Sequence, residues 1–534
     1  VAASPPPPLA PATAARTWAA NPMTLVLTDL VATSTALART SSRLEKRSLI
    51  AALLGTAGDD VALAVDYLTA SPRQRRTGVS YRTLGSLPEP APVTSLTLRQ
   101  VDAAFDALAA VQGSGAVAAR AAIVGDLFGR ASADEQAFLR ALLIGELRQG
   151  ALDGVVVDAV AHASGCPLAV VRRAAMLTGS VSRTAAVALG GGTSALEQIT
   201  LTVGVGVLPM LAGSAPSIAA AGTQVGDGAS VWVDCKVDGI RAQIHKDDNV
   251  VRIFSRTLDD WTDRLPEVAD AVRRLPVDVA IIDGEVIARD VSGRPLPFQE
   301  TGSRVARQGA GAVSLMLFDL LHLDGRDLID EPHATRIGEL ARIAGPLVVD
   351  HVVTADAGVA ERFFETVVAA GFEGVVVKRV DAPYAAGRRG SDWVKVKPVR
   401  TADLVVLGVE WGSGRRRGTL SNIHLGARDA ETGEYVMVGK TFKGMTDEML
   451  AWQTARFLEL ERDREGHVVW VQPAQVVEIA FDGVQRSRRY PGGVALRFAR
   501  VLRYRDDKTP QEADTIDGLR SMLAEPDSRD LQDV

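Results

Sequence analysis

The sequence predicts a multidomain chain of the order α, then α+β, then β, and three observations carry that reading. Its 534 residues exceed one compact domain, since domains usually run to about 100–200 residues. Hydrophobic periodicity is helical from Met23 to about Leu196, then shifts to short strands with helices between them. Past Pro398 the pattern turns predominantly β, with one helix over roughly 446–460. The expected partition is a disordered leader over 1–22, an all-helical domain over 23–200, a mixed domain of sheets and helices over 201–399, an OB-type barrel over 400–525 and a tail over 526–534.

Each element has a local reason. The leader holds Pro5 to Pro8 and one charge, without the apolar core of a signal peptide, and Met23 is an alternative start. Ser42 and Glu45 form a capping box ahead of Leu49, Ile50, Leu53 and Leu54, with Gly55 as the expected stop. Ser132 and Glu135 repeat the device before Phe138, Leu139, Leu142 and Leu143. A long loop over Ser71–Pro92 carries Arg73, Arg75, Arg76 and Arg82, which suit either a solvated loop or a grip on phosphates. A Gly-, Ser- and Ala-rich linker is expected near 199–225. Strands follow at 231–237, 240–246, 250–255, 279–287, 313–320, 374–378 and 393–397, with Asp247-Asp248-Asn249 as a hairpin turn. The last region offers strands at 403–411, 420–428, 434–440 and 475–481.

A net charge of −6 gives no global attraction to polyanions, so any phosphate site must be a local concentration of cations. Cys166 and Cys235 are too few for a four-cysteine zinc module or a disulfide framework, and they fit a reducing cytoplasm. The uncharged stretch Gln198–Gly226 is broken by Pro209 and Pro216, so no membrane association is expected.

Lysines stand out because arginine does the surface work. Of the 59 basic residues only nine are lysines, and five of these sit in compact polar motifs: Lys236, Lys378, Lys395, Lys397 and Lys508. Arginine cannot serve as a nucleophilic amine, so a position needing one must stay lysine. Period-two alternation puts Trp232, Asp234 and Lys236 on one strand face ahead of an Asp-Gly corner. Lys236 then suits attack on an α-phosphorus, in a neutral form favoured by nearby cations and a bound metal. Arg241 and Arg256 offer forked donors to phosphate or ribose oxygens. Glu285 and Glu373 supply carboxylates for ribose hydroxyls or Mg²⁺ (or Mn²⁺), although Asp283-Gly284 alone also suits a turn. Phe318 could stack on a purine, and Lys395 and Lys397 share one strand face.

In this order the motifs resemble those of the covalent nucleotidyltransferases. Lys236-Val-Asp-Gly-Ile-Arg241 is similar to motif I and Phe254-Ser-Arg256 to the next motif. Asp283-Gly-Glu285, Phe318-Asp-Leu320, Glu373-Gly-Val-Val-Val-Lys378, Trp393-Val-Lys395-Val-Lys397 and Arg505-Asp-Asp507-Lys508 continue the series through motif VI. Gly145-Glu-Leu-Arg-Gln-Gly150 resembles a signature in the helical DNA-binding domain of ATP-dependent DNA ligases. Over about Met23 to Thr515 the chain resembles the bacterial, actinobacterial ligase B type.

The resemblance implies ATP as substrate, nicked double-stranded DNA as partner and a monomeric enzyme, with 201–399 as the adenylation domain. It implies Lys236 as AMP acceptor and Asp234 at the adenine amino group, where many relatives carry glutamate. Thr257 stands where many ligases have asparagine. The ATP-contacting arginine before motif V is Arg389 or its neighbour Arg388. Arg505 and Lys508 are implied to orient pyrophosphate when the C-terminal domain closes, and Arg73, Arg75, Arg76 and Arg82 are the candidates for gripping duplex DNA. An RNA ligase or capping-type enzyme, and a decayed DNA-binding scaffold, are the competing readings. The first lacks a place for the helical domain, and the second sits poorly with an intact Lys236, Glu285, Glu373, Lys395 and Lys397.

Overall fold

A computed structural model of the chain describes residues 24–93, 96–147, 149, 153–226, 228–296, 298–306, 313–385 and 389–523. The expected leader and the tail, Arg388, and Arg148 and Gly150 of the helical signature lie outside these residues. The chain forms two compact units, one up to Met210 and one from Leu211 onward.

The named elements of the first unit's described residues are all helices, joined by loops such as that over residues 69–93. Its helices are α1 (Leu27–Arg39), α2 (Arg43–Thr56), α3 (Val61–Leu68), α4 (Leu98–Ala110), α5 (Ala116–Gly129), α6 (Ala133–Leu143), α7 (Asp153–Ser164), α8 (Leu168–Thr178) and α9 (Val181–Glu197). Both serines cap their helices, but only the second forms the expected reciprocal box. Ser42 accepts from the Glu45 amide, while Ser132 and Glu135 form a reciprocal capping box. Glu45 takes the Thr40 hydroxyl at 2.5 Å. Helix α2 runs one residue past Gly55, because the Thr56 hydroxyl returns to the Leu53 carbonyl and the Ala57 amide to that of Leu54. One apolar core, including Leu30, Leu54, Tyr67, Phe105, Phe128, Leu139 and Val160, joins the helices.

The second unit begins inside the expected linker. Leu211–Ser214 is a strand, β1, and Ile218–Gly226 a helix, α10. Their Gly- and Ala-rich composition concealed them, yet β1 pairs in parallel with a distant strand and α10 buries Ile218, Ala221 and Val225. The following elements are β2 (Val231–Lys236), β3 (Ile240–Asp247), β4 (Val250–Phe254), α11 (Pro266–Arg273), β5 (Val279–Ala288), α12 (Phe298–Ala306), β6 (Val313–Leu323), β7 (Arg326–Asp327), α13 (His333–Ala344), β8 (His351–Thr354), α14 (Ala357–Ala369), β9 (Gly374–Arg379) and β10 (Arg389–Val396). They build two five-stranded sheets, ordered β1-β10-β9-β2-β8 and β4-β3-β5-β6-β7. The expected hairpin joins β3 to β4, with Asp248 at a φ of 47°.

Past Pro398 come β11 (Arg400–Trp411), β12 (Leu420–Arg428), β13 (Tyr435–Thr441), α15 (Asp447–Glu459), β14 (Glu461–Glu465), β15 (Val468–Val471), β16 (Val476–Phe481), β17 (Gly483–Arg486), β18 (Val494–Arg497), β19 (Arg500–Arg505) and α16 (Ile516–Arg520). Seven strands form one sheet, and β17–β18 a separate pair. More strands form than the periodicity predicted, because Glu461-Arg-Asp-Arg-Glu465 and the arginine-rich 483–505 lack a clean apolar alternation. No helix among the described residues is long and apolar enough to cross a membrane.

A buried ion pair ties α13 to β6. Arg336 donates through Nε and Nη2 to the two Asp319 oxygens at 2.7 and 2.9 Å, and through Nη1 to the Glu331 and Ala382 carbonyls at 2.5 and 2.9 Å. Both side chains are fully buried. Burial alone would raise the Asp319 carboxyl, but Arg336 holds it far below the ordinary range. Arg336→Ala therefore strands a buried carboxylate and is expected to cost about 3–5 kcal/mol, whereas Asp319→Leu combined with Arg336→Met should cost less. Denaturant unfolding followed by the chain's tryptophan fluorescence checks this, and equal midpoints for the single and double variants would refute it.

Candidate active site

Strand β2 explains why Lys236 faces a pocket. Val231, Val233 and Cys235 pack with α10 and α14 residues in one core. Trp232 belongs to the core of the other sheet, and Asp234 and Lys236 follow it on that face. The chain then turns through Asp238 and Gly239 into β3, and a Cβ at Gly239 would collide with the Val286 carbonyl. Glycine is thus required for the turn into β3 to lie against β5.

At the end of β2, the Glu373 carboxylate takes the Lys236 ammonium on Oε2 and the Lys397 ammonium on Oε1. The backbone fixes this geometry: the Glu373 amide donates to the Lys236 carbonyl at 3.1 Å, and β9 pairs with both β2 and β10. Gly374 has a φ of 139°, and a Cβ there would meet the Val396 carbonyl. Burial would raise the Glu373 carboxyl, but Lys236 and then Lys397 outweigh it and hold it below its usual value. Lys397 moves up: burial opposes the shift, and Glu373 and Asp482 overcome it. Asp482 accepts from the same Lys397 amine at 2.9 Å.

Behind the lysines lies an aromatic wall. Phe318 and Trp393 meet edge to face at 6.1 Å, and Trp393 meets Tyr384 at 5.8 Å. Lys378 lies 4.2 Å from the Trp393 centroid and 5.2 Å from that of Phe318, donates to the Phe318 carbonyl at 3.0 Å and pairs with Asp234 at 2.5 Å. Asp234 also accepts from Trp232 Nε1 at 2.7 Å, so its carboxylate is fixed from two sides.

Asp283-Gly284, open to a turn reading, lies mid-strand in β5. Asp283 is fully buried and takes both forks of Arg241, Nε at 3.0 Å and Nη2 at 2.5 Å, together with the Tyr384 hydroxyl at 2.7 Å. The guanidinium expected to reach phosphate or ribose is therefore clamped by Asp283, with its Cζ 5.5 Å from the Phe318 centroid. Glu285 stands opposite Arg241 in the β3–β5 register. Burial pushes its carboxyl up to about 7, against the pull of Lys236 and Arg241.

Several other expected residues lie elsewhere or point differently. Lys395 sits between Trp393 and Lys397 on the pocket face of β10, since Val394 and Val396 enter the opposite core. Arg389 opens β10, its side chain lying outside the described residues. Arg256 is exposed in the loop after β4. Arg505 and Lys508 are held within their own sheet by Asp403, at 3.1 and 2.5 Å. In the helical unit Arg73 is engaged by Asp102 and Asp106, Arg75 has interactions of its own, and Arg76 and Arg82 are exposed.

Sequence reasoning missed Tyr384, Asp238 and Asp482. Asp238 pairs with Arg497 at 3.1 Å. The Asp-Gly corner signalled Asp238; a lone tyrosine and an Asp-Gly after β16 gave no comparable sign. No cluster of three His, Cys, Asp or Glu suited to a metal occurs among the described residues. Glu285 and Glu373 form at most a two-carboxylate set, which fits a cation that keeps water and phosphate ligands.

The chain matches three family models: ATP dependent DNA ligase domain over residues 209–397, ATP dependent DNA ligase C terminal region over 416–508, and DNA ligase N terminus over 79–161. A Beutenbergia cavernae protein named as a probable DNA ligase is 56% identical over 510 residues, covering 93% of this chain and 99% of that one. A Nocardioides sp. protein of the same name is 56% identical over 506 residues, with the same coverage. A solved structure titled Pmar-Lig_PreS3 shares the fold at a TM-score of 0.59, with 19% identity over 89% of this chain and 99% of that one. Identity of this level across both units shows that the chain belongs to the ATP-dependent DNA ligases.

Proposed function

We propose that the chain, as a monomer, seals nicks in duplex DNA through a lysyl-AMP intermediate and a DNA-adenylate. The observation that carries this reading is the pair of amines, Lys236 and Lys397, sharing the Glu373 carboxylate in front of the Phe318–Trp393 wall. In the first step Lys236 Nζ attacks the α-phosphorus of ATP; an N–P bond forms, the P–O bond to the β-phosphate breaks and pyrophosphate leaves. AMP then passes to the 5′-phosphate at the nick, and the 3′-hydroxyl displaces it.

Glu373, the carboxylate in contact with the nucleophile, would orient the Lys236 side chain before attack. Lys395 and Lys397 would bear the charge that develops on the equatorial phosphate oxygens. Phe318 would stack on the adenine, and Asp234 would meet its amino edge, with Lys378 and Trp232 fixing the carboxylate. Arg241, clamped by Asp283 and Tyr384, would present its remaining edge to the ribose or phosphate. Glu285 and Glu373 would hold Mg²⁺ (or Mn²⁺), which when bound neutralises phosphate charge.

We read 23–200 as a DNA-binding domain, 201–399 as the adenylation domain and 400–525 as an OB-fold. Arg73, Arg75, Arg76 and Arg82 are all exposed and are assigned to a phosphodiester backbone, Arg73 by exchanging Asp102 and Asp106 for phosphate. Arg505 and Lys508 are assigned to pyrophosphate.

Lys236→Ala and Lys236→Arg should both abolish covalent labelling by α-labelled ATP, since neither offers a neutral amine, yet both should retain some sealing of a pre-adenylylated nick. Label retained by the arginine variant would overturn the assignment. Glu285→Gln should reduce labelling while raising the melting temperature at about pH 8 but not at about pH 5. The sign follows from the raised pKa: the folded chain holds a proton that the unfolded chain releases between the ordinary carboxylate range and about 7, so native stability falls as pH rises through that window. A melting gain of equal size at both pH values would contradict it. Arg505→Ala and Lys508→Ala should slow lysine labelling by about tenfold or more and pre-adenylylated sealing much less. Equal losses in the two assays would point to misfolding or a DNA-binding role.

A further inference from the structure

The segment Asp482–Arg497 makes three side-chain contacts with the strands and helix before it, one of them to a pocket lysine. Asp482 Oδ2 accepts from Lys397 Nζ at 2.9 Å, Arg497 Nη1 donates to Asp238 at 3.1 Å, and Gln299 Nε2 donates to Gln485 Oε1 at 2.9 Å. Asp482 is itself held: its amide donates to the Arg497 carbonyl at 3.0 Å, and Arg500 Nη1 stands 3.9 Å from its Oδ1. Lys397 in turn shares Glu373 with Lys236. A carboxylate from the C-terminal strands is therefore linked to the nucleophile through two side chains, Lys397 and Glu373.

We propose that Asp482 is a positioning residue that holds Lys397 and disfavours triphosphate entry while the C-terminal strands lie over the pocket. The inference rests on the ligase reading above. ATP brings several negative charges to the lysines, whereas a lysine-bound AMP carries a single one on its phosphate. A fixed aspartate opposes the first far more than the second. It also occupies the ammonium that an incoming triphosphate would need, so ATP must displace Asp482 from Lys397 to bind. This arrangement thus suits the enzyme after AMP has been loaded and hinders a second ATP from competing with the nick. Glu373 cannot take this part, because it grips Lys236 as well.

The test compares the full chain with Asp482→Asn and Asp482→Glu, measuring kcat and KM for ATP in the labelling of Lys236. Asp482→Asn keeps the size and hydrogen-bonding capacity of the side chain but removes its charge. It should lower the ATP KM by about three- to tenfold with kcat retained, and Asp482→Glu should restore the parent value. An unchanged or raised KM in Asp482→Asn overturns the proposal, as does an Asp482→Glu variant that behaves like Asp482→Asn. Only variants melting with the parent are compared, and Asp482→Ser replaces Asp482→Asn if the latter melts early. The two readings fail separately: a parent chain that takes no label on Lys236 defeats the ligase mechanism, whereas normal labelling with an unmoved KM defeats only the role of Asp482.

Discussion

One carboxylate between two ammonium groups organises the pocket. Lys236 and Lys397 lie close enough to share Glu373, and without it two like charges would face each other in a partly buried site. The backbone reinforces the arrangement, since the Glu373 amide binds the Lys236 carbonyl and Gly374 lets β9 lie against the end of β10. The strand order β10-β9-β2 is thus what brings together side chains more than a hundred residues apart in sequence. Strand pairing alone thus places Lys236, Lys397 and Glu373 together, a preorganisation of the kind that phosphoryl transfer rewards.

The same logic extends behind the pocket. Asp319 follows Phe318 directly in β6, and its buried pairing with Arg336 fixes the strand that carries the aromatic ring. Arg336 also binds the Ala382 carbonyl, two residues before Tyr384, whose hydroxyl supports Asp283 and through it Arg241. Buried ion pairs are poor sources of stability compared with apolar packing, but they tolerate few alternative geometries. Here the chain from Arg336 through Asp319 and Tyr384 sets the orientation of groups that face the pocket without touching the reacting centre itself.

Much of this was legible in the sequence, for reasons that differ by element. The side assigned to Lys236 followed from period-two alternation, which the apolar partners of Val231, Val233 and Cys235 bear out. Capping chemistry located α2 and α6, because Ser42 and Ser132 satisfy amides that no helix can satisfy for itself. Elements whose stability comes from pairing rather than pattern were not legible: β1 depends on β10, β8 on β2, and the charged strand β14 on β15. The partners of each cation were equally hidden. Arg241, Arg73, Arg505 and Lys508 all read as free donors in the sequence, and each is held by an aspartate that is remote in sequence or lies on another element.

Strand β16 makes the geometry of the C-terminal strands consequential. Asp482 follows its last residue, while Arg505 stands opposite Val476 at its first. At roughly 3.3 Å per residue the two ends are about 20 Å apart. The end that meets Lys397 carries an aspartate, and the far end carries Arg505 and Lys508, neutralised by Asp403. A rigid sheet cannot offer both ends to one pocket at once. If the cationic end is to meet a leaving pyrophosphate, the C-terminal strands must turn, breaking the contacts of Asp482 and Arg497 and exchanging Asp403 for phosphate oxygens. Each end thus has a ready partner in one arrangement only: Lys397 for Asp482 here, and the polyphosphate for Arg505 and Lys508 after the turn. The opposite charges at the two ends of the β16–β19 pair are what would let the loss of pyrophosphate bias the equilibrium, since its departure removes the partner of the cationic end and leaves Lys397 available to the acidic one.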